Sequence, residues 1–161
     1  MEIAKPTLSE QLRQAMGHWP SGVVVVAARH GAEVRGMTAS SFTSVSLEPP
    51  LVLVCVNRSA LLWPVLEKAG RFSVNLLKEG HEHTSAHFAG QPLKGYAPLN
   101  EEEVPALEEA LATLYCRTWA VYPGGTHQIV VGQVERVRLS QGEKPLLYWN
   151  RGYHRLKGGE P

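Results

Sequence analysis

Apolar positions in this chain fall into short runs separated by turn residues, and few of those runs keep a helical period. Thr7-Leu-Ser-Glu10 has capping-box spacing, so the Thr hydroxyl and the Glu carboxylate can each satisfy an end amide. A helix from there to about Gly17 would place Leu8, Leu12, Ala15 and Met16 on one apolar side. Residues 23–29 carry β-branched side chains on both faces, which predicts a central, buried strand. His30-Gly31 predicts a tight turn into a returning strand, which runs on into residues 36–50. Pro49-Pro50 cannot donate to a ladder and should mark the entry to a third strand, residues 51–56.

Residues 60–69 read as a short helix, with Pro64 in its first turn and Gly70 as its C-cap. A strand is expected over 71–77, one or two helical turns over 81–88, and a variable loop over 90–106. Residues 105–114 are rich in helix formers, and pattern alone predicts a helix there. Strands follow at 115–121, 127–139 and 146–149, with a turn at Pro123-Gly124-Gly125. Five to seven strands with few short helices predict a mostly β protein, an antiparallel barrel.

Composition narrows the function classes. The 161 residues are expected as a single domain, 1–161, with 43% hydrophobic and 19% charged residues. The net charge is +1 and the cations are scattered, which argues against a nucleic-acid partner. No apolar run approaches a membrane span, and Met1-Glu-Ile-Ala-Lys-Pro6 has no signal-peptide core. Cys55 and Cys116 lie inside apolar runs and are expected as buried free thiols, in keeping with a cytoplasmic protein.

Several chemistries fail on the residues. Gly31-Ala-Glu-Val-Arg-Gly36 has the glycine spacing of a phosphate loop, yet Met37 stands where Lys is required, and no G-x-G-x-x-G occurs. His83 and His87 share a helix face, but Thr84 follows His83 where a zinc protease has Glu, so no metal is expected and these are read as solvated histidines. No Gly-x-Ser-x-Gly is present, and Cys55 has no local activating group. Hydride transfer remains, because a cofactor then carries the reactive atom and the protein needs no catalytic acid or base of its own.

The stretch from Gly36 to Pro50 is crowded with hydroxyl residues and holds no charge before Glu48. Small side chains there let a ligand approach the backbone, which suits a polar, planar, phosphorylated cofactor; a ligand-free Ser/Thr-rich edge strand has the same composition. Four further stretches stand in chain order around it, one before and three after: His18-Trp-Pro-Ser-Gly-Val23, Leu51-Val-Leu-Val-Cys-Val-Asn57, Arg71-Phe-Ser-Val-Asn-Leu76 and Gly125-Thr-His-Gln-Ile-Val-Val-Gly-Gln-Val134. With the tail Leu147-Tyr-Trp-Asn-Arg-Gly-Tyr-His-Arg155, the set resembles the flavin reductase-like, FMN-binding split-barrel family. It is most similar to the small reductase components of two-component aromatic hydroxylases, such as 4-hydroxyphenylacetate 3-monooxygenase.

The resemblance implies a homodimeric split β-barrel that binds FMN, with FAD possible, and oxidises NADH or NADPH. Reduced flavin would pass to a partner monooxygenase. It implies a cofactor site at Gly36, Met37, Thr38, Ala39, Ser40, Ser41 and Phe42 for the isoalloxazine, and at Asn57, Arg58 and Ser59 for the ribityl phosphate. It implies a nicotinamide side formed by His18, Pro20, Ser21, His127, Tyr148, Arg151 and Tyr153. His127 matches the histidine of the family's Gly-Asp-His turn, with Thr126 here in place of the acid. The family pattern also makes 105–114 an extended segment rather than a helix. Two other readings stay open: a flavoprotein that holds FMN permanently for electron transfer, and a split barrel that binds no flavin and serves as an interaction module.

Overall fold

The structure, a computed structural model, describes residues 1–158. In chain order its elements are α1 (Leu8–Gly17), β1 (Ser21–Gly22), β2 (Val24–His30), β3 (Glu33–Ala39), β4 (Phe42–Leu47) and β5 (Pro50–Asn57). They continue with α2 (Leu62–Ala69), β6 (Arg71–Leu76), α3 (Glu82–His87), β7 (Ala112–Gly124), β8 (His127–Leu139), β9 (Leu147–Trp149) and β10 (Gly152–His154). Strands and isolated bridges make up 46% of the described residues and helix 15%, so the molecule is mostly β.

Seven strands pair in the order β3-β2-β6-β7-β8-β5-β4, all antiparallel, and β1-β9-β10 form a second small sheet. The two edge strands of the large sheet, β3 and β4, are consecutive in the chain and separated only by Ser40 and Ser41. Three Cα steps span at most about 11 Å, so the sheet must curl until its edges meet. The Cys55 amide donates to Ser41 O at 3.2 Å and carries the β4–β5 pairing one residue into this connection.

Inside the curl lie Val24, Val26, Val54, Val56, Phe72 and Val74, with Leu62, Val65 and Leu66 of α2 packed against them. β2 is buried from Val24 to Ala28 because β3 and β6 flank it, as its β-branched run predicts. On β8, Gly132 faces this core at a point of close approach. A Cβ there would sit 2.6 Å from Phe72 Cζ and 3.0 Å from Cys116 Cβ. Gly132→Ala should therefore destabilise the fold by about 1–3 kcal/mol through overpacking, read as a lower urea midpoint.

Asn75 organises the opposite face of the sheet. Its Nδ2 donates to Val25 O and to Ser73 Oγ, both at 2.9 Å, and its Oδ1 accepts from Leu107 N at 2.9 Å and Thr113 Oγ1 at 3.1 Å. Ser73 Oγ donates to Pro105 O at 2.6 Å, and Arg138 donates to Leu107 O and to Thr113 Oγ1. Residues 105–111 are consequently irregular, not the helix that propensity predicts, because side chains from β6 and β8 occupy the groups a helix needs.

Most element boundaries agree with the sequence pattern. α1 carries the full capping box, and Gly70 caps α2 at φ 67°. The strand count exceeds the expected five to seven: the hydroxyl-rich run breaks at the seam into β3 and β4, and β1 and β10 are too short to show a period. Both cysteines are free. Cys116 is buried, and burial, helped by the nearby Glu135 charge, pushes its thiol up to about 12, whereas Cys55 is only half-buried.

Candidate functional site

The hydroxyl-rich segment divides into an inward part and an open part. Ala39 is 7% exposed and packs in the core, with Met37 against it. Thr38 is tied to the α3 region: its Oγ1 donates to Ser85 O at 2.7 Å and its amide to Phe88 O at 3.1 Å. The Phe88 ring lies on Gly36, where a Cβ would stand 2.7 Å from two ring carbons. Ser40 and Ser41 are exposed. Amides alternate along a strand, so with Thr38 N–H pointing away from β2, that of Ser40 points the same way. Ser41 Oγ donates to Cys55 O at 3.1 Å, which holds its hydroxyl on the seam.

Ser40 and Phe42 border a cleft of about 390 Å³ whose far wall is Trp19, Pro20 and Ser21 and whose base includes Leu146. The wall is held by the small sheet. Asn150 N donates to Gly17 O at 2.9 Å, Trp149 Nε1 donates to His18 O at 3.2 Å, and Ser21 pairs with Tyr148. Tyr148 and Tyr153 stack edge to face at 5.5 Å, and the Tyr153 hydroxyl meets Ser85 Oγ at 2.7 Å. The β9–β10 turn holds Asn150 and Arg151 at φ 49° and 60°, with Arg151 exposed at its tip. Pro20, Ser21, Ser40 and Phe42 thus share one cleft, which has an apolar body and a polar edge and so fits a planar ring with heteroatoms along one side.

Asn57 ends β5 opposite His127 on β8, and Arg58 and Ser59 follow it. Asn57 and His127 are cross-strand partners. Asn57 Oδ1 accepts from Ser59 N at 2.9 Å and Ser59 Oγ at 2.8 Å, an Asx turn that uses the oxygen and leaves the Asn57 amino group for another partner. Arg58 Nη1 donates to Gly125 O at 2.7 Å, and Thr126 Oγ1 sits 2.9 Å from His127 Nδ1. Ser59 also borders a second cleft, about 620 Å³, shared with Gly36, Met37, His87 and Phe88. His127 lines neither of the two clefts.

Two of the three histidines near α3, His81 and His87, are structural. His81 is 8% exposed, its Nδ1 accepts from Lys78 N at 3.3 Å, and burial followed by the Lys78 charge lowers its pKa from 6.5. His83 is exposed, as expected, with its ring 5.4 Å from that of Tyr96, whereas His87 is half-buried, accepts from Leu93 N at 2.9 Å and sits edge-on to Tyr96. Among the described residues no group of three metal-capable side chains occurs. Sequence reasoning missed Phe88, Ser85 and Trp149. For Phe88 a signal existed: a glycine within a strand, Gly36, marks close approach of another group.

The chain as a whole is similar to known proteins. Residues 16–157 match the family model described as the flavin reductase like domain. The chain is 54% identical over 149 residues to the "4-hydroxyphenylacetate 3-monooxygenase, reductase component" of Thermus thermophilus, covering 92% of this chain and 97% of that one. It is 40% identical over 142 residues to an "NADH-dependent FAD reductase" of Streptomyces globisporus, covering 83% and 78%. Among solved structures, "Flavin reductase PheA2 in native state" superposes with TM-score 0.87 at 32% identity, covering 94% of this chain and all of that one.

Proposed function

This chain belongs to the flavin reductase like domain family, and from that premise we propose that it oxidises NAD(P)H, reduces flavin and delivers the reduced flavin to a separate monooxygenase. It is an enzyme of the split-barrel flavin reductases, and the proposal treats residues 1–161 as one such domain. The observation that carries the reading is the cleft joining Ser40 and Phe42 to Pro20 and Ser21 across the seam of the sheet.

The flavin, when bound, supplies the hydride-accepting atom, N5. What the protein contributes is position and polarity. The outward amide of Ser40, with the Ser40 hydroxyl, donates to the polar edge of the ring, while Phe42 and Trp19 border its faces. Asn57, Arg58 and Ser59 bind the ribityl phosphate, where a guanidinium fork matches the oxygens. Every contact proposed lies on the part common to FMN and FAD, so FMN is the expected flavin and FAD is also accepted. NADH is the expected donor, on the name of the Streptomyces relative. His18, His127, Tyr148, Arg151 and Tyr153 form its side of the site.

The test follows absorbance at 340 nm with NADH or NADPH, with and without added FMN or FAD. Flavin-dependent oxidation supports the proposal. A protein that retains one flavin through gel filtration and does not turn over added flavin overturns delivery to a partner. His127→Ala should raise KM for NAD(P)H about tenfold, the effect of losing a hydrogen bond worth roughly 1–2 kcal/mol, and leave flavin Kd nearly unchanged.

We further propose a homodimer. The apolar side of α1 covers nothing within the chain: no α1 residue is buried, and Leu8, Leu12 and Met16 are 80%, 61% and 54% exposed. An amphipathic helix presented this way needs a second surface. Light scattering at micromolar concentration should give twice the 17.7 kDa chain mass, and a fully active monomer would sink this claim. We also propose a cytoplasmic setting, a reading supported by the need for NAD(P)H and by the two free thiols.

A further inference from the structure

The turn that carries His127 has little of its own to hold it. Gly124 pairs with His127, so Gly125 and Thr126 form a two-residue hairpin loop between β7 and β8. Gly125 stands at φ 61° and Thr126 is not left-handed, the type II′ arrangement in which glycine takes the first central position. Two consecutive glycines give this loop more conformational freedom than the strands it joins.

Arg58 meets that loop twice. Its backbone amide donates to Thr126 O at 3.1 Å, one step beyond the Asn57–His127 pair. Its guanidinium Nη1 donates to Gly125 O at 2.7 Å. One residue therefore binds both successive carbonyls of the loop, from a different strand than the two the loop connects. Thr126 in turn orients the imidazole through the 2.9 Å contact between its Oγ1 and His127 Nδ1. A Thr hydroxyl that donates to Nδ1 leaves Nε2–H as the outward donor, which an amide or phosphoryl oxygen of a dinucleotide accepts.

We propose that Arg58 is a positioning residue for His127, fixing the Gly125–Thr126 loop so that the imidazole is held in place for the nicotinamide dinucleotide. This goes beyond the phosphate contact suggested for Arg58 and rests on the reading of His127 as a dinucleotide-binding residue. The guanidinium has further N–H groups, so one edge can hold the loop while the other faces a phosphate. The flavin-phosphate end and the dinucleotide side of the site then meet at a single side chain.

The test separates the two roles by using riboflavin, which lacks the phosphate, beside FMN as electron acceptor. Arg58→Ala should raise KM for NAD(P)H about fivefold with either acceptor, each supplied at a saturating concentration. Arg58→Lys, which keeps one donor for the Gly125 carbonyl, should recover most of the loss. In the Arg58→Ala/His127→Ala double variant KM should rise no more than about twofold above His127→Ala alone, because both changes remove one interaction. A KM effect seen with FMN and absent with riboflavin overturns the proposal, as do effects that multiply in the double variant. His127→Ala with an unchanged KM refutes the assignment of His127 to the dinucleotide. Positioning is then decided by NMR of the His127 ring proton on Cε1: a resonance shifted or broadened in Arg58→Ala supports it, and an unmoved one overturns it. Arg58 is exposed, so an unchanged melting temperature is the folding control.

Discussion

Asn75→Leu should lower folding stability by roughly 3–5 kcal/mol, with the loss appearing as a reduced urea midpoint at constant slope. The side chain is fully buried and uses all of its capacity, two donors and two acceptors, on partners from β2, β6, β7 and residue 107. Leucine nearly fills the space but leaves the Leu107 amide and the Thr113 hydroxyl to find other partners inside the protein. Each orphaned group costs about 1–3 kcal/mol, which is why the effect exceeds that of an ordinary polar deletion. Residues 105–111 should lose their hydrogen-exchange protection first, since Asn75 and Ser73 tie them to the sheet. A loss below about 1 kcal/mol would mean that this segment is held by something other than the Asn75 amide.

The second large effect is expected at the seam. Ser40→Trp should weaken flavin binding at least about a hundredfold, equivalent to roughly 2.7 kcal/mol, by filling the cleft that Ser40 shares with Trp19, Pro20 and Ser21. Because Ser40 is exposed, the melting temperature should hardly change, so loss of binding is separated from loss of fold. Ser40→Ala, which keeps the backbone donor and removes only the hydroxyl, should cost about 1 kcal/mol. Fluorescence titration of FMN reads both. Undiminished binding by Ser40→Trp would move the ring to the cleft lined by Gly36, Met37 and Ser59.

The same contrast between local and distant determinants explains how much could be read from the chain. The capping box of Thr7 and Glu10, the doubly buried run of β2, the Gly70 cap and the span of β8 were legible because neighbours within a few residues determine them. Residues 105–111 were not, because the groups that forbid a helix there belong to Ser73, Asn75 and Arg138. In the candidate site the sequence marked a concentration of small polar residues, of which Ser40 borders a cleft. It could not tell that Ala39 faces the core while Ser40 faces outward, because that depends on the register of β3 against β2. Nor could it bring Phe88 onto Gly36, a contact between segments far apart in sequence.

The exposed face of α1 has a consequence for measurement. A ten-residue helix is marginal in water on its own, and this one is fixed within its chain only by its caps and by the Gly17 and His18 carbonyl contacts at its end. Trp19, Pro20 and Ser21 follow at once and form one wall of the cleft. Dilution that strips away whatever covers Leu8, Leu12 and Met16 therefore frays the helix from its start and loosens that wall with it. Under the proposed dimer, turnover per chain should therefore fall as the enzyme is diluted, and assays at nanomolar and micromolar enzyme should give two different specific activities for one sequence.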